Sequence, residues 1–142
     1  MRIWRFALVA ALLTAGCDSN TAPAANNGPV TIDFGGILAP QGTAFRPVTI
    51  NTAGKISAKL VSLTAGTTFS TASAPAGTTI GVGIGVTNAD ATVCTVTTSM
   101  IVGPSLTTQL TADVVPGASC VQVFDPGTLT GSVLYAVRFV VS

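Results

Sequence analysis

The sequence predicts an all-β domain, an antiparallel β-sandwich of jelly-roll or immunoglobulin-like type with seven to nine strands. Three observations carry this expectation. The first is composition. Glutamate and histidine are absent and charged residues make up only 8% of the chain, whereas a typical soluble domain has roughly 25%. Valine, threonine and isoleucine are plentiful, and these fit pleated, half-buried strands. The second is short-range alternation of apolar and polar residues, the period of a strand with one buried face. The third is punctuation by Gly, Pro, Asn and Asp between these runs. No stretch supplies the helices that parallel strands need for their crossovers.

The elements follow in order. Val30, Ile32 and Phe34 alternate with Thr31 and Asp33, and Gly35-Gly36 is expected to stop that strand. Phe45–Asn51 is a second strand, and Pro47 places it at an edge or bulge. Thr52-Ala53-Gly54 turns the chain. Lys55–Leu63 follows, with Ile56, Ala58 and Leu60 on one face and Lys55, Ser57 and Lys59 on the other. A helix there lacks caps and length. Gly66–Thr78 reads as a loop enclosing at most a short strand, with Phe69 its one bulky residue. Thr79–Thr87 is the clearest strand. Ile80, Val82, Ile84 and Val86 line one face, and Gly81, Gly83 and Gly85 the other. The glycine face has two readings, bare to solvent or a bed for a closely approaching loop or ligand, and the first is preferred. Thr92–Ile101, Ser105–Val114, Ser119–Asp125 and Val133–Val141 complete the series.

The amino-terminal segment has a different character. Arg2 and Arg5 precede an apolar run, Phe6–Leu13, and then the small residues Thr14-Ala15-Gly16 and Cys17. The run is shorter than the ~20 residues a spanning helix needs. Residues 1–16 therefore read as an export signal. Residues 17–29 read as a polar, proline-bearing tether and residues 30–142 as the folded domain. Leu13–Cys17 resembles the lipobox of bacterial lipoproteins, although Thr14 departs from the more usual leucine. The resemblance implies a diacylglycerol thioether on Cys17, with fatty acyl chains such as palmitate. Two or three chains hold a protein firmly on a bilayer at about 0.8 kcal/mol per buried CH₂. It also implies a membrane partner through Cys17 and residence in the bacterial cell envelope, with the domain in the periplasm or on the cell surface. Asp18 matches the inner-membrane retention signal of enteric members. The alternative is an ordinary export signal cut nearby, with Cys17 incidental.

A second resemblance lies near the other end. Pro116–Asp125 (PGASCVQVFD) and Tyr135–Val141 are similar to the closing strands of bacterial prepeptidase-carboxy-terminal domains. The likeness implies a jelly-roll-like sandwich serving as an accessory module of an exported protein. Family members carry acidic residues on a middle strand with calcium or structural roles. The matching strand here, Ile80–Val86, has glycines instead, which argues against a metal role.

Three cysteines are an awkward number for an exported chain. If Cys17 carries lipid, Cys94 and Cys120 remain. Each falls in an expected strand, and an oxidising compartment favours their pairing. There is no CxxC spacing and no histidine to complete a zinc site or activate a thiolate.

The same absences remove most chemistry. Without histidine, Ser-His and Cys-His catalysis is excluded. Only Asp33, Asp90, Asp113 and Asp125 could supply the paired carboxylates of a glycosidase, and each has a strand or turn explanation. Asp125-Pro126-Gly127 is turn chemistry. Asn88 and Asp90 could offer oxygens to calcium, but an Asx turn is the simpler reading. Gly81-Val82-Gly83-Ile84-Gly85 lacks the spacing and following helix of a dinucleotide fingerprint. From Cys17 onward four bases face five acids, so no basic patch exists for nucleic acid. The only tryptophan, Trp4, lies in the signal, and Tyr135 reads as core, which leaves no sugar-stacking surface. The expectation is a membrane-anchored, non-catalytic envelope lipoprotein, a structural or interaction module without cofactor or metal. Its partner would be an envelope protein or a glycan. The runner-up is an accessory domain that binds polysaccharide or peptide.

Overall fold

The computed structural model describes residues 29–68 and 73–142. The expected signal, Cys17, the tether before Pro29, and Phe69 lie outside the described residues. Eight strands form the domain: β1 Val30–Leu38, β2 Thr43–Ile50, β3 Gly54–Ala65, β4 Ile80–Thr87, β5 Cys94–Val102, β6 Leu110–Val114, β7 Gly117–Phe124 and β8 Val133–Val141. They make two antiparallel four-stranded sheets, in the orders β1-β8-β3-β6 and β2-β7-β4-β5. Strand 1 thus pairs with 8, 2 with 7, 3 with 6 and 4 with 5. This is a long hairpin wrapped into two sheets, the jelly-roll arrangement. The sheets meet along β1/β2 at one margin and β5/β6 at the other.

The core is built by the alternation that the sequence displays. Ile56, Ala58 and Leu60 of β3, Ile80, Val82 and Ile84 of β4, Val121 and Val123 of β7, and Val137 and Phe139 of β8 are all at most 1% exposed. Each of these apart from Ala58 contributes about 1.5–3 kcal/mol relative to exposure. Tyr135 is buried, and its ring meets Phe34 edge-on at 5.5 Å between centroids. Outward positions on the first sheet carry charge. Asp33 and Arg138 are direct cross-strand partners in a bidentate pair of 2.7 and 3.1 Å, and Lys55 pairs with Asp113.

Three expectations need correcting, and β3 carries a bulge that its alternation did not specify. Gly35-Gly36 does not end β1, which continues through Ile37 to Leu38. Leu38 is buried opposite Val133, so core packing carries the strand past the glycines. In β3, Val61 is an extra residue between Leu60 and Ser62 in the ladder with β8. Such a bulge shifts the phase of alternation, turning Leu63 inward. Residues 105–109 are not strand, and β6 begins only at Leu110. Val86 is 49% exposed rather than lining the core. Opposite it, β5 carries one extra residue, Thr97, at the register shift between Ile84 and Gly85.

The unpaired margin of β3 is closed by loops. Beyond β6, Ser105 donates its backbone N–H to Leu60 O at 2.8 Å, and the Gln109 side-chain oxygen accepts the Leu60 N–H at 2.8 Å. The Gln109 amide nitrogen donates back to Gly103 O at 2.7 Å. One glutamine side chain therefore substitutes for a strand residue, satisfying backbone groups that would otherwise lie buried without partners. Further along, Ala74 N–H donates to Leu63 O, and Ser73 bridges Thr64.

Candidate functional site

The glycine face of β4 is covered, which overturns the solvent-bare reading. Gly81, Gly83 and Gly85 are all buried. A Cβ on Gly81 would overlap the Phe124 ring, and one on Gly83 would stand 2.8 Å from Val96 Cγ1. A Cβ on Gly85 would collide with the Thr95 carbonyl oxygen. The glycines let the first turns of β5 fold down across β4 until Cys94 reaches the far neighbour, β7. There Cys94 is bonded to Cys120, with 5.8 Å between Cα atoms. Cys120 pairs in register with Gly85. The disulfide thus ties β5 to β7 over a strand that has no side chains in the way. The two cysteines expected to pair are brought together.

The four carboxylates of the domain are each accounted for, and no two share a site. Asp33 faces Arg138, whose hydrogen bond holds the carboxyl below its ordinary value. Asp113 faces Lys55. Asp125 is a staple between two turns. Its Oδ1 accepts N–H groups from Gly127, Thr128 and Leu129, and its Oδ2 accepts that of Gln41 at 2.8 Å. Partial burial acts to raise its pKa, but the four N–H donors outweigh this and leave it lowered. Gln41 adopts φ 58° in the β1–β2 turn, so the same carboxylate orders an unfavourable backbone conformation. Asp90 lies exposed in the β4–β5 turn. In that turn Asn88 Oδ1 is taken by the N–H groups of Thr92 and Val93. The Asn88 side chain thus closes the turn by accepting backbone N–H groups four and five residues on. Among the described residues, no three His, Cys, Asp or Glu cluster to hold a metal.

Two clefts open at opposite ends of the sandwich. One, of about 340 Å³, lies between the sheets where the chain enters. Its lining includes Pro29, Val30, Ile32, Val48, Ile50 and Val141, and is mainly apolar. The other, of about 320 Å³, is floored by loop residues such as Pro75, Gly77, Thr128 and Thr130. Neither is lined by a charged or aromatic side chain, so neither offers a flat aromatic face on which a sugar ring would stack.

Sequence reasoning missed three residues that organise these features: Gln109, Phe124 over Gly81, and Arg46. Arg46 Nη1 donates to the Asp33 carbonyl at 3.1 Å, joining β2 to β1 across the open margin. Its exposed position next to Pro47 was the only signal, and it identifies an edge rather than a partner. No protein-family model matches the chain, and no curated protein matches it.

Proposed function

We propose that this chain is a lipid-anchored, non-catalytic lipoprotein of the bacterial cell envelope, acting as a structural or interaction module. One observation carries the reading. Cys94 and Cys120 are bonded to each other, so the odd cysteine of the three is Cys17. Cys17 is the residue that follows an apolar run and small residues at the spacing of a lipobox. The non-catalytic part rests on the commitment of Asp33, Asp113 and Asp125 to ion pairs and turns. The likeness of Pro116–Asp125 to accessory modules of exported proteins points the same way. Metabolic labelling with a fatty acid in a bacterial host tests the anchor. Wild type should take up label, and Cys17→Ser should not. Label retained by Cys17→Ser would overturn the assignment.

A second reading, an accessory domain for an apolar peptide, draws on the cleft bounded by Val30, Ile50 and Val141. A pulldown from host membranes separates the two. An envelope protein recovered only with the anchored form supports a scaffold. A ligand retained equally by the Cys17→Ser form, and lost with Val30→Asp at the exposed rim of the cleft, supports the peptide reading.

A further inference from the structure

Strand register gathers Pro29 and three connections at one pole of the sandwich. Val30 pairs with Val141, Val141 with Ile56, Gly54 with Val114 and Ile50 with Gly117. Val86 pairs with Ser119, and Thr87 with Cys94. The turns at 51–53, 88–93 and 115–116 therefore share the end at which β1 begins. Valines stand out from this end. Val30 is 39% exposed, Val86 49%, Val93 55% and Val115 72%. Val86 continues the row of Ile80, Val82 and Ile84 past the core, and Val30 does the same for Ile32 and Phe34. The apolar cleft walled by Ile32, Ile50 and Val141 opens at the same end. Asp90 is the only charged residue in the three turns, and Lys55 and Asp113 close by neutralise each other.

We propose, on the reading that Cys17 carries the lipid anchor, that this pole rests on the bilayer itself, with its valines and the mouth of the cleft against the lipid. The length of chain between anchor and domain selects the occupant. Only residues 18–28, eleven in all, separate Cys17 from Pro29, and Pro29 is itself part of the cleft wall. At full extension that connection spans about 40 Å. β1 is nine residues long, so the far pole stands about 30 Å further from the point of attachment. Bringing the far pole to the membrane would stretch the connection to roughly three quarters of its reach. The near pole touches without stretching it. So short a connection keeps the pole at an effective concentration on the order of millimolar. Contacts too weak to bind a free protein then suffice to orient an anchored one. A soluble partner or a second copy has no such advantage at this surface. Asp90 is repelled by the negative potential of anionic lipid, so a neutral bilayer is the preferred seat.

The test uses the protein purified from host membranes, with mass spectrometry reporting the lipid on Cys17. It is reconstituted in phosphatidylcholine nanodiscs containing a fraction of gadolinium-headgroup lipid, and the broadening of backbone amide signals is measured. Amides at 51–53, 88–93 and 115–117 should broaden several-fold more than those at 103–109 and 125–132. Nearness to the attachment point alone also favours this pole, so variants decide. Val93→Asp/Val115→Asp should reduce the contrast at 51–53 several-fold. Leu106→Asp, at an exposed apolar residue of the far pole, should leave it unchanged. Thermal melting verifies that both variants fold. Replacing part of the phosphatidylcholine with phosphatidylglycerol should also weaken the contrast. Absence of lipid on Cys17 would overturn the anchor and the seat together. Lipid on Cys17 with equal broadening at both poles would overturn the seat alone, as would a contrast that survives Val93→Asp/Val115→Asp. No contrast in pure lipid, with the same turns covered in native membranes, would assign the pole to an envelope protein and overturn the lipid seat.

Discussion

Four residues show how this fold responds to substitution and pH. Gly85 has no room for a Cβ because the Thr95 carbonyl occupies that space, and backbone there cannot step aside without moving the disulfide. Gly85→Ala should destabilise the domain by about 3 kcal/mol, the upper part of the overpacking range. Gly127→Ala meets no atoms and strains only its φ of 93°, so urea titration should show a smaller loss. Burial raises the Tyr135 pKa above its ordinary 10.0. The unfolded chain therefore ionises first as pH climbs, and the stability present below pH 10 is lost as pH rises through the folded pKa. Tyr135→Phe should unfold at higher pH than wild type in an alkaline titration followed by circular dichroism. Asp125 has the opposite sign. Its lowered pKa contributes stability above the ordinary carboxylate value, lost as pH falls through its folded value. Asp125→Ala should lower the melting temperature at pH 7, and the difference should shrink towards pH 2.

At the level of elements, the disulfide is the constraint with the clearest magnitude. It joins residues 26 apart, and closing such a loop in the unfolded chain gives about 3.5 kcal/mol on chain-entropy grounds. Cys94→Ala/Cys120→Ala should lose about that much in chemical denaturation, with the loss of amide protection concentrated in the first half of β5. Much of the element pattern was legible beforehand. Ile56, Ala58 and Leu60, and Ile80, Val82 and Ile84, announced their buried faces by simple alternation, and Pro47 announced an edge. The bulge at Val61 left a trace too, since adjacent Leu60 and Val61 break the alternation. What could not be read were facts of pairing. Gly81, Gly83 and Gly85 look identical whether bare or covered, until register places Phe124 and Thr95 over them. Gly35-Gly36 looks like a stop because glycine is weak in strands, and only the pairing of Leu38 with Val133 shows why the strand continues. Gln109 as a substitute strand residue depends on a loop path that no local pattern encodes.

At the scale of the whole molecule, the jelly-roll order brings the first and last pairs of the ladder together. Val30 pairs with Val141, and Ser142 exchanges backbone hydrogen bonds with Lys55 at 2.7 and 2.9 Å. Pro29 thus lies beside the end of β8, at one pole of the sandwich. The turn stapled by Asp125 lies at the opposite pole. This arrangement fixes how the domain bears a mechanical load. Tension applied between residues 29 and 142 would open the β1–β8 ladder one pair at a time, like a zip. Tension between residue 29 and the Asp125 turn would strain all nine β1–β8 pairs together, in shear. In a single-molecule pulling experiment the second geometry should need several times the force of the first. A domain held by its first residues and loaded at its far pole is gripped along its strong axis. The same domain pulled by both ends would peel apart from Val30.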